Sequence, residues 1–175
     1  MKDQTDEISC FRTYVPLFIL GATPVFVDID PITFNIEPAK LALAIQAVNE
    51  PVVFPAHPRT RKFLQETVYR PPENMKLIDP VGYFDIIALE KSARMILTDS
   101  GGMQKEAYCL KVPCITLRDE TEWIETVDLG WNIPAGADHD RIIETVRAFK
   151  APSEHPPLYG DGKAAAHCLK ALLES

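Results

Sequence analysis

The sequence lacks a long uninterrupted apolar run. Its longest, Pro16 to Val27, is broken by Gly21, Thr23 and Pro24, and it is shorter than the roughly 20 residues that cross a bilayer as a helix. The start, Met1-Lys2-Asp3-Gln4-Thr5-Asp6-Glu7, is polar and acidic and does not read as a signal peptide. A cytoplasmic location with no membrane partner is therefore expected. Positive charge is scarce as well. The 18 Lys and Arg against 25 Asp and Glu give a formal net charge of −7, which argues against a nucleic-acid partner. Cys10, Cys109, Cys114 and Cys168 make no C-x-x-C pair and no zinc spacing, so free thiols in a reducing compartment are expected. His57, His139, His155 and His167 are scattered without an H-E-x-x-H, so no metal is expected. Walker A, G-x-G-x-x-G and G-x-S-x-G are all missing, which removes the usual signatures of kinases, dehydrogenases and α/β-hydrolases. Asp99 beside Ser100 has no clear histidine partner for a hydrolytic triad.

What is present is an ordinary globular composition, 46% hydrophobic and 25% charged over 175 residues, enough for one domain with a real core. Short apolar segments recur between amphipathic ones. Ala22 to Asp30, Pro51-Val52-Val53-Phe54-Pro55, Met75-Lys76-Leu77-Ile78, Arg94-Met95-Ile96-Leu97-Thr98 and Val112-Pro113-Cys114-Ile115-Thr116-Leu117 read as strands, and Trp131 to Pro134 as a last edge strand. Helical stripes fall at Leu41, Ile45 and Val48, at Phe63, Leu64 and Val68, at Tyr83, Ile86, Leu89 and Ala93, at Ile142, Ile143, Val146 and Phe149, and at Ala165, Cys168, Leu169 and Leu172. A short helix is expected over Thr121 to Asp128, and a proline-rich connector over Ala151 to Pro157. From Pro51 onward, strand and helix alternate. That order predicts an α/β fold: a Rossmann-like open parallel sheet with helices on both faces, whose ligands sit at the carboxyl ends of the strands.

Three loops lie at such ends: His57 to Arg59, Asp99 to Gly102, and Arg118 to Glu122. The strongest local pattern is Leu97-Thr98-Asp99-Ser100-Gly101-Gly102-Met103-Gln104-Lys105-Glu106. A strand ends, two glycines permit close backbone approach, and a helix begins, so free amides and the positive helix end can seat a phosphate. Glu106, one turn further on, can accept from a ribose diol. The competing reading is a tight turn in which Ser100 only caps the helix. Arg118 offers a planar fork to an anion, or pairs with Asp119 or Glu122 on the surface. His57 with Arg59 contacts a phosphate or base, or sits in a capped turn. Trp123 and Trp131 read as packing residues rather than stacking platforms.

Four segments in order carry a family resemblance: Phe54-Pro55-Ala56-His57-Pro58-Arg59-Thr60, Thr98 to Glu106, Leu117-Arg118-Asp119-Glu120-Thr121-Glu122-Trp123, and Tyr159-Gly160-Asp161-Gly162-Lys163-Ala164-Ala165. Residues 51–175 resemble the C-terminal half of the non-hydrolysing UDP-N-acetylglucosamine 2-epimerases, and the Thr-Glu-Trp form is similar to the subgroup acting on acetamido-sugar and diacetamido-uronate nucleotides. The resemblance implies one UDP-binding half of a GT-B arrangement. It implies that Ser100, Gly101 and Gly102 hold the diphosphate and Glu106 the ribose, with His57 and Arg118 as further contacts to UDP. Lys105 stands where the family commonly has an acidic residue. The family reaction eliminates UDP, passes through a glycal-like intermediate and adds UDP back with C2 inverted. Its acid and base come largely from the other half and from a His-Arg-x-Glu-Asn segment that this sequence does not contain, so no catalytic residue is assigned here and no cofactor is expected.

Residues 1–50 carry a second resemblance. Phe18 to Asp30 and Thr33-Phe34-Asn35-Ile36-Glu37-Pro38 resemble part of the DegT/DnrJ/EryC1 sugar aminotransferases, over about residues 14–47. The segment with that family's Schiff-base lysine is not among them, so no pyridoxal phosphate is expected. The junction falls around residues 47–50, and the strand from Val25 is expected to join the edge of the sheet. The resulting expectation is a nucleotide-sugar-binding, epimerase-like chain that partners a UDP-sugar and either a separate epimerase N-terminal domain or a second copy. The alternative is a non-catalytic binding module or a fused gene remnant.

Overall fold

A computed structural model describes residues 50–56, 61–62, 64–65 and 70–174, and the backbone of residues 25–28. Six strands form one parallel sheet: β1 (Val25–Asp28), β2 (Val52–Pro55), β3 (Met75–Ile78), β4 (Met95–Thr98), β5 (Cys114–Thr116) and β6 (Asn132–Pro134). Their spatial order is β3-β2-β1-β4-β5-β6, the order of doubly wound nucleotide-binding sheets. Five helices can be delimited among the described residues: α1 (Tyr83–Ser92), α2 (Gly101–Leu110), α3 (Ile124–Asp128), α4 (His139–Ala148) and α5 (Ala164–Leu173). The stripe expected at Leu41 to Val48 lies outside the described residues, as do Phe63 and Val68.

Every residue of β2, β4 and β5 is buried, as parallel strands covered on both sides must be. Their side chains alternate between two cores. Val52, Phe54, Met95, Leu97 and Ile115 join Ile142, Ile143 and Val146 of α4. Val53, Ile96 and Cys114 join Leu89 of α1 and Met103 and Ala107 of α2. The period-two alternation of strands and the helical stripes thus meet on opposite faces of one sheet. Asp138 fixes the start of α4 by accepting from the Arg141 amide at 2.8 Å, one of the donors that a helix leaves unpaired at its first turn.

The placement of β1 corrects the expectation of an edge strand. β1 lies in the middle, with Phe26 in register with Val53 of β2 on one side and with Ile96 of β4 on the other. Strands β2 and β4 are not neighbours, and each presents a row of backbone donors and acceptors to the gap between them. A parallel strand in that gap satisfies both rows, whereas an edge position satisfies one. Below it, at the amino ends, Arg94 clamps Glu50 by two bonds of 2.6 and 2.8 Å, and Asn74 donates to the Glu50 carbonyl at 2.8 Å. The starts of β2, β3 and β4 are thereby tied across the position of β1.

Three further expectations shift. Helix α3 begins at Ile124 rather than Thr121, because the Thr121 hydroxyl is used to bend the loop: it accepts from the Trp123 amide at 3.1 Å. Tyr83, expected on the buried stripe of α1, is 62% exposed, and its hydroxyl bonds the Glu106 carboxylate. The stripe of α5 is a real helix, but Leu169, Leu172 and Leu173 are exposed. The proline-rich connector before α5 is strapped down by aromatics. Trp131 Nε1 donates to the Glu154 carbonyl at 2.9 Å, Tyr108 Oη to the Pro156 carbonyl at 2.5 Å, and His155 stacks on Tyr108 at 4.3 Å. His155 Nε2 lies 2.7 Å from the Tyr108 carbonyl, which can only accept, so this nitrogen carries the proton.

Candidate functional site

The winding of the sheet reverses between β1 and β4, and the crevice outside their carboxyl ends is where doubly wound sheets take ligands. Asp99 to Gly102 leave β4 at that point. The turn is held from below: the Thr98 hydroxyl accepts from the Ser100 amide at 3.0 Å. Ser100 is the residue before α2, in extended conformation, and its hydroxyl makes no capping bond. The reading of Ser100 as a mere cap is therefore set aside. Gly101, Gly102 and Met103 open α2, and the helix itself cannot pair their amides.

The two glycines face different surroundings. Among the described residues a Cβ on Gly102 would meet only Ser100 Oγ, at 3.8 Å, so none of them closes its backbone to an approaching group. A Cβ on Gly101 would collide with the Glu122 carboxylate and lie 3.4 Å from Trp123 Nε1. The loop after β5 folds over the start of α2, and Trp123 Nε1 donates to the Gly101 carbonyl at 2.7 Å. Arg118, at the root of that loop, pairs with Glu122 at 3.2 Å, one of the two surface pairings open to it on sequence grounds. Asp119 closes against Gly136, whose φ of +64° and close carboxylate neighbour both demand glycine.

A buried polar network fixes this loop. Gln104 is 1% exposed. Its Oε1 accepts from the Thr121 hydroxyl and from Asn132 Nδ2 at 3.2 Å. Asn132 Oδ1 in turn accepts from the Thr116 hydroxyl at 2.7 Å, and Thr126 donates to the Trp123 carbonyl at 2.7 Å. One amide oxygen on α2 therefore joins β5, β6 and the loop before α3, while the Nε2 of the same amide is buried without a hydrogen-bond partner among the described residues.

Glu106 sits a turn beyond the glycines, and Tyr83 Oη donates to its Oε1 at 3.1 Å. That bond and the carboxylate's charge raise the tyrosine's pKa above its ordinary value. Lys105 precedes Glu106 on α2. Its ammonium lies 4.8 Å from the centre of the Trp123 ring and 4.5 Å from that of Tyr159, so this cation is held by aromatic faces. Tyr159 donates to Glu125 at 3.1 Å; burial and that carboxylate raise its pKa too. Trp131 is buried against Tyr108 and His155, and Trp123 meets Tyr159 edge-on at 5.8 Å, so both tryptophans pack as expected. His57 lies outside the described residues. The structure thus brings Ser100, Gly101, Gly102, Glu106 and Arg118 to one end of the sheet, adds Tyr83 and Gln104, which the sequence reading did not single out for a role, and sets Glu122, offered by the sequence as a surface partner of Arg118, against Gly101. Among the described residues no group of three His, Cys, Asp or Glu side chains could hold a metal. No helix among them is long and apolar enough to cross a membrane.

Fold and crevice define a class, the doubly wound half of a GT-B arrangement. The family model described as UDP-N-acetylglucosamine 2-epimerase matches residues 33–173, and the chain belongs to that family. Residues 6–59 match the DegT/DnrJ/EryC1/StrS aminotransferase family. Strand β1 therefore precedes the epimerase match and falls inside the aminotransferase one. A UDP-N-acetylglucosamine 2-epimerase homolog of Methanococcus maripaludis is 50% identical over 131 residues, covering 71% of this chain and 36% of that protein. The UDP-2,3-diacetamido-2,3-dideoxy-D-glucuronate 2-epimerase of Pseudomonas aeruginosa is 40% identical, over 78% of this chain and 40% of its own length. The crystal structure of Methanocaldococcus jannaschii UDP-GlcNAc 2-epimerase, in complex with UDP-GlcNAc and UDP, superposes with a TM-score of 0.74 at 30% identity, covering 99% of this chain and 49% of that one. The chain spans less than half the length of these relatives.

Proposed function

We propose that this chain is the UDP-binding half of an acetamido-sugar nucleotide 2-epimerase. The observation that carries the reading is the open backbone of Gly102 at the start of α2, set at the switch point of the sheet. The amides after Ser100 and the helix end hold the diphosphate, Glu106 holds the ribose diol, and Arg118 and His57 add contacts to the anion. In a reaction that expels UDP, these groups stabilise the charge that develops on the leaving diphosphate. Removal of the C2 proton needs a positioned base, and that base belongs to a second half outside this sequence, met as another polypeptide. The exposed leucines of α5 supply apolar surface for such a meeting. A cytoplasmic site of action agrees with this substrate class and with the acidic composition.

Calorimetric titration of UDP into the native chain and into Gly102→Asp tests the seat. The variant's side chain has room, and an acidic residue in the first turn favours the helix, so the fold survives while a negative charge stands where phosphate would. Binding by the native chain and its loss in Gly102→Asp is the expected result. Equal binding by both would remove the seat. Incubation with UDP-N-acetylglucosamine alone, followed by NMR, is expected to give neither C2 epimer nor free UDP; turnover would refute the need for a second half.

A further inference from the structure

A negative group of the chain's own stands beside the first residue of the seat. The Glu122 carboxylate lies against Gly101, so close that a Cβ there would collide with it. Its other oxygen is 3.2 Å from Arg118 Nη1. The loop that carries it is pinned at the next residue by the bond from Trp123 Nε1 to the Gly101 carbonyl and at the preceding one by Thr121 on buried Gln104. The carboxylate is thus presented to the helix end by a fixed backbone, with Arg118 turned toward it.

Resting on the UDP-binding reading, we propose that Glu122 is a resident anion of the diphosphate site, and that a nucleoside diphosphate binds by displacing it and taking over the Arg118 guanidinium. Two features make the exchange feasible. The pair is weak, because the Arg118 and Glu122 side chains are 30% and 48% exposed and solvent screens such contacts. A diphosphate brings more charge and more acceptor oxygens than one carboxylate, and it can take the guanidinium fork by two parallel bonds. The loop backbone need not move, since a change of side-chain torsions carries the Glu122 carboxylate out to solvent. Glu122 then sets a threshold: singly charged anions compete poorly with it, while diphosphates prevail.

The test titrates inorganic pyrophosphate, UDP and uridine into the native chain, Glu122→Gln, Glu120→Gln and Gly102→Asp. Glu120 is an exposed acid two residues away and controls for general loop charge. Expected is a tightening of pyrophosphate and UDP by about two- to fivefold in Glu122→Gln, the scale of a half-exposed ion pair. Uridine is expected to be unaffected, and Glu120→Gln to track the native chain. Unchanged or weaker pyrophosphate binding in Glu122→Gln, with Gly102→Asp still abolishing it, overturns the displacement and leaves the seat intact. Equal tightening by Glu120→Gln also overturns it, since bulk charge would then suffice. Native-like binding in Gly102→Asp, or no pyrophosphate binding in any variant, overturns the seat itself and the displacement with it.

Discussion

The indole N–H of Trp123 reaches the carbonyl oxygen of Gly101 at 2.7 Å, joining the loop after β5 to the first residue of α2. The Gly101 carbonyl belongs to the helix's own ladder, so this bond adds a second donor to it. The contact ties two candidate site loops into one rigid piece, and the same indole lies beside the Lys105 ammonium. Replacing Trp123 by Phe keeps an aromatic ring, though a smaller one, and removes the donor. The expected cost is about 0.5–1.5 kcal/mol of stability, the net worth of one such bond, read as a lower urea midpoint with an unchanged slope. UDP binding is expected to weaken with it, because the loop bearing Arg118 loses its anchor.

Tyr83 is mostly exposed, so Tyr83→Phe is expected to leave thermal stability unchanged. It would still release Glu106, whose Oε1 the phenol holds. If Glu106 grips the ribose, UDP affinity is expected to fall by about two- to fivefold, and pyrophosphate, which has no ribose, is expected to bind as before. Equal loss for both ligands would assign Tyr83 to the phosphate side instead.

The strand-turn-helix at Leu97 to Leu110 was legible because its signals are local: a continuous apolar strand, two glycines and an amphipathic turn follow one another in the chain. The parallel sheet was legible for the same reason, in the unbroken burial that Val52-Val53-Phe54 and Met95-Ile96-Leu97 require. The central place of β1 was not, since a four-residue apolar strand pairs as readily at an edge, and only the separation of β2 from β4 decides. The stripe of Leu169 and Leu172 announced a helix with an apolar face but could not name what covers it. Glu122 was legible as a partner of Arg118, but its place against Gly101 was not, because that depends on how a loop folds, and residue spacing carries no record of it.

The position of β1 yields its own prediction. Phe26 is in register with strands on both sides, so Phe26→Pro removes a donor from the middle of the sheet, where proline is not tolerated. Local fraying would follow at an edge; at the centre, the halves β2-β3 and β4-β5-β6 lose their link. Amide exchange is expected to accelerate across β2 and β4 alike. Acceleration limited to residues near β1 would return that strand to a peripheral role.

Cys114 lies on β5 at 1% exposure, and burial pushes its thiol from 9.0 up to about 12, because a thiolate cannot be solvated there. In the unfolded chain the same thiol ionises near its ordinary value. Between the two values the folded state binds the extra proton, so stability falls as pH rises from about 9 toward 12. Below that window the thiol's contribution is complete. Cys114→Ala is expected to be less stable than the native chain at neutral pH, through lost packing, but to show a shallower decline across the alkaline window. Iodoacetamide at neutral pH is expected to label the exposed Cys109 and Cys168 and to spare Cys114 until the protein is unfolded. Rapid labelling of Cys114 in the folded chain would mean that the core between β5 and α2 opens far more readily than its packing implies.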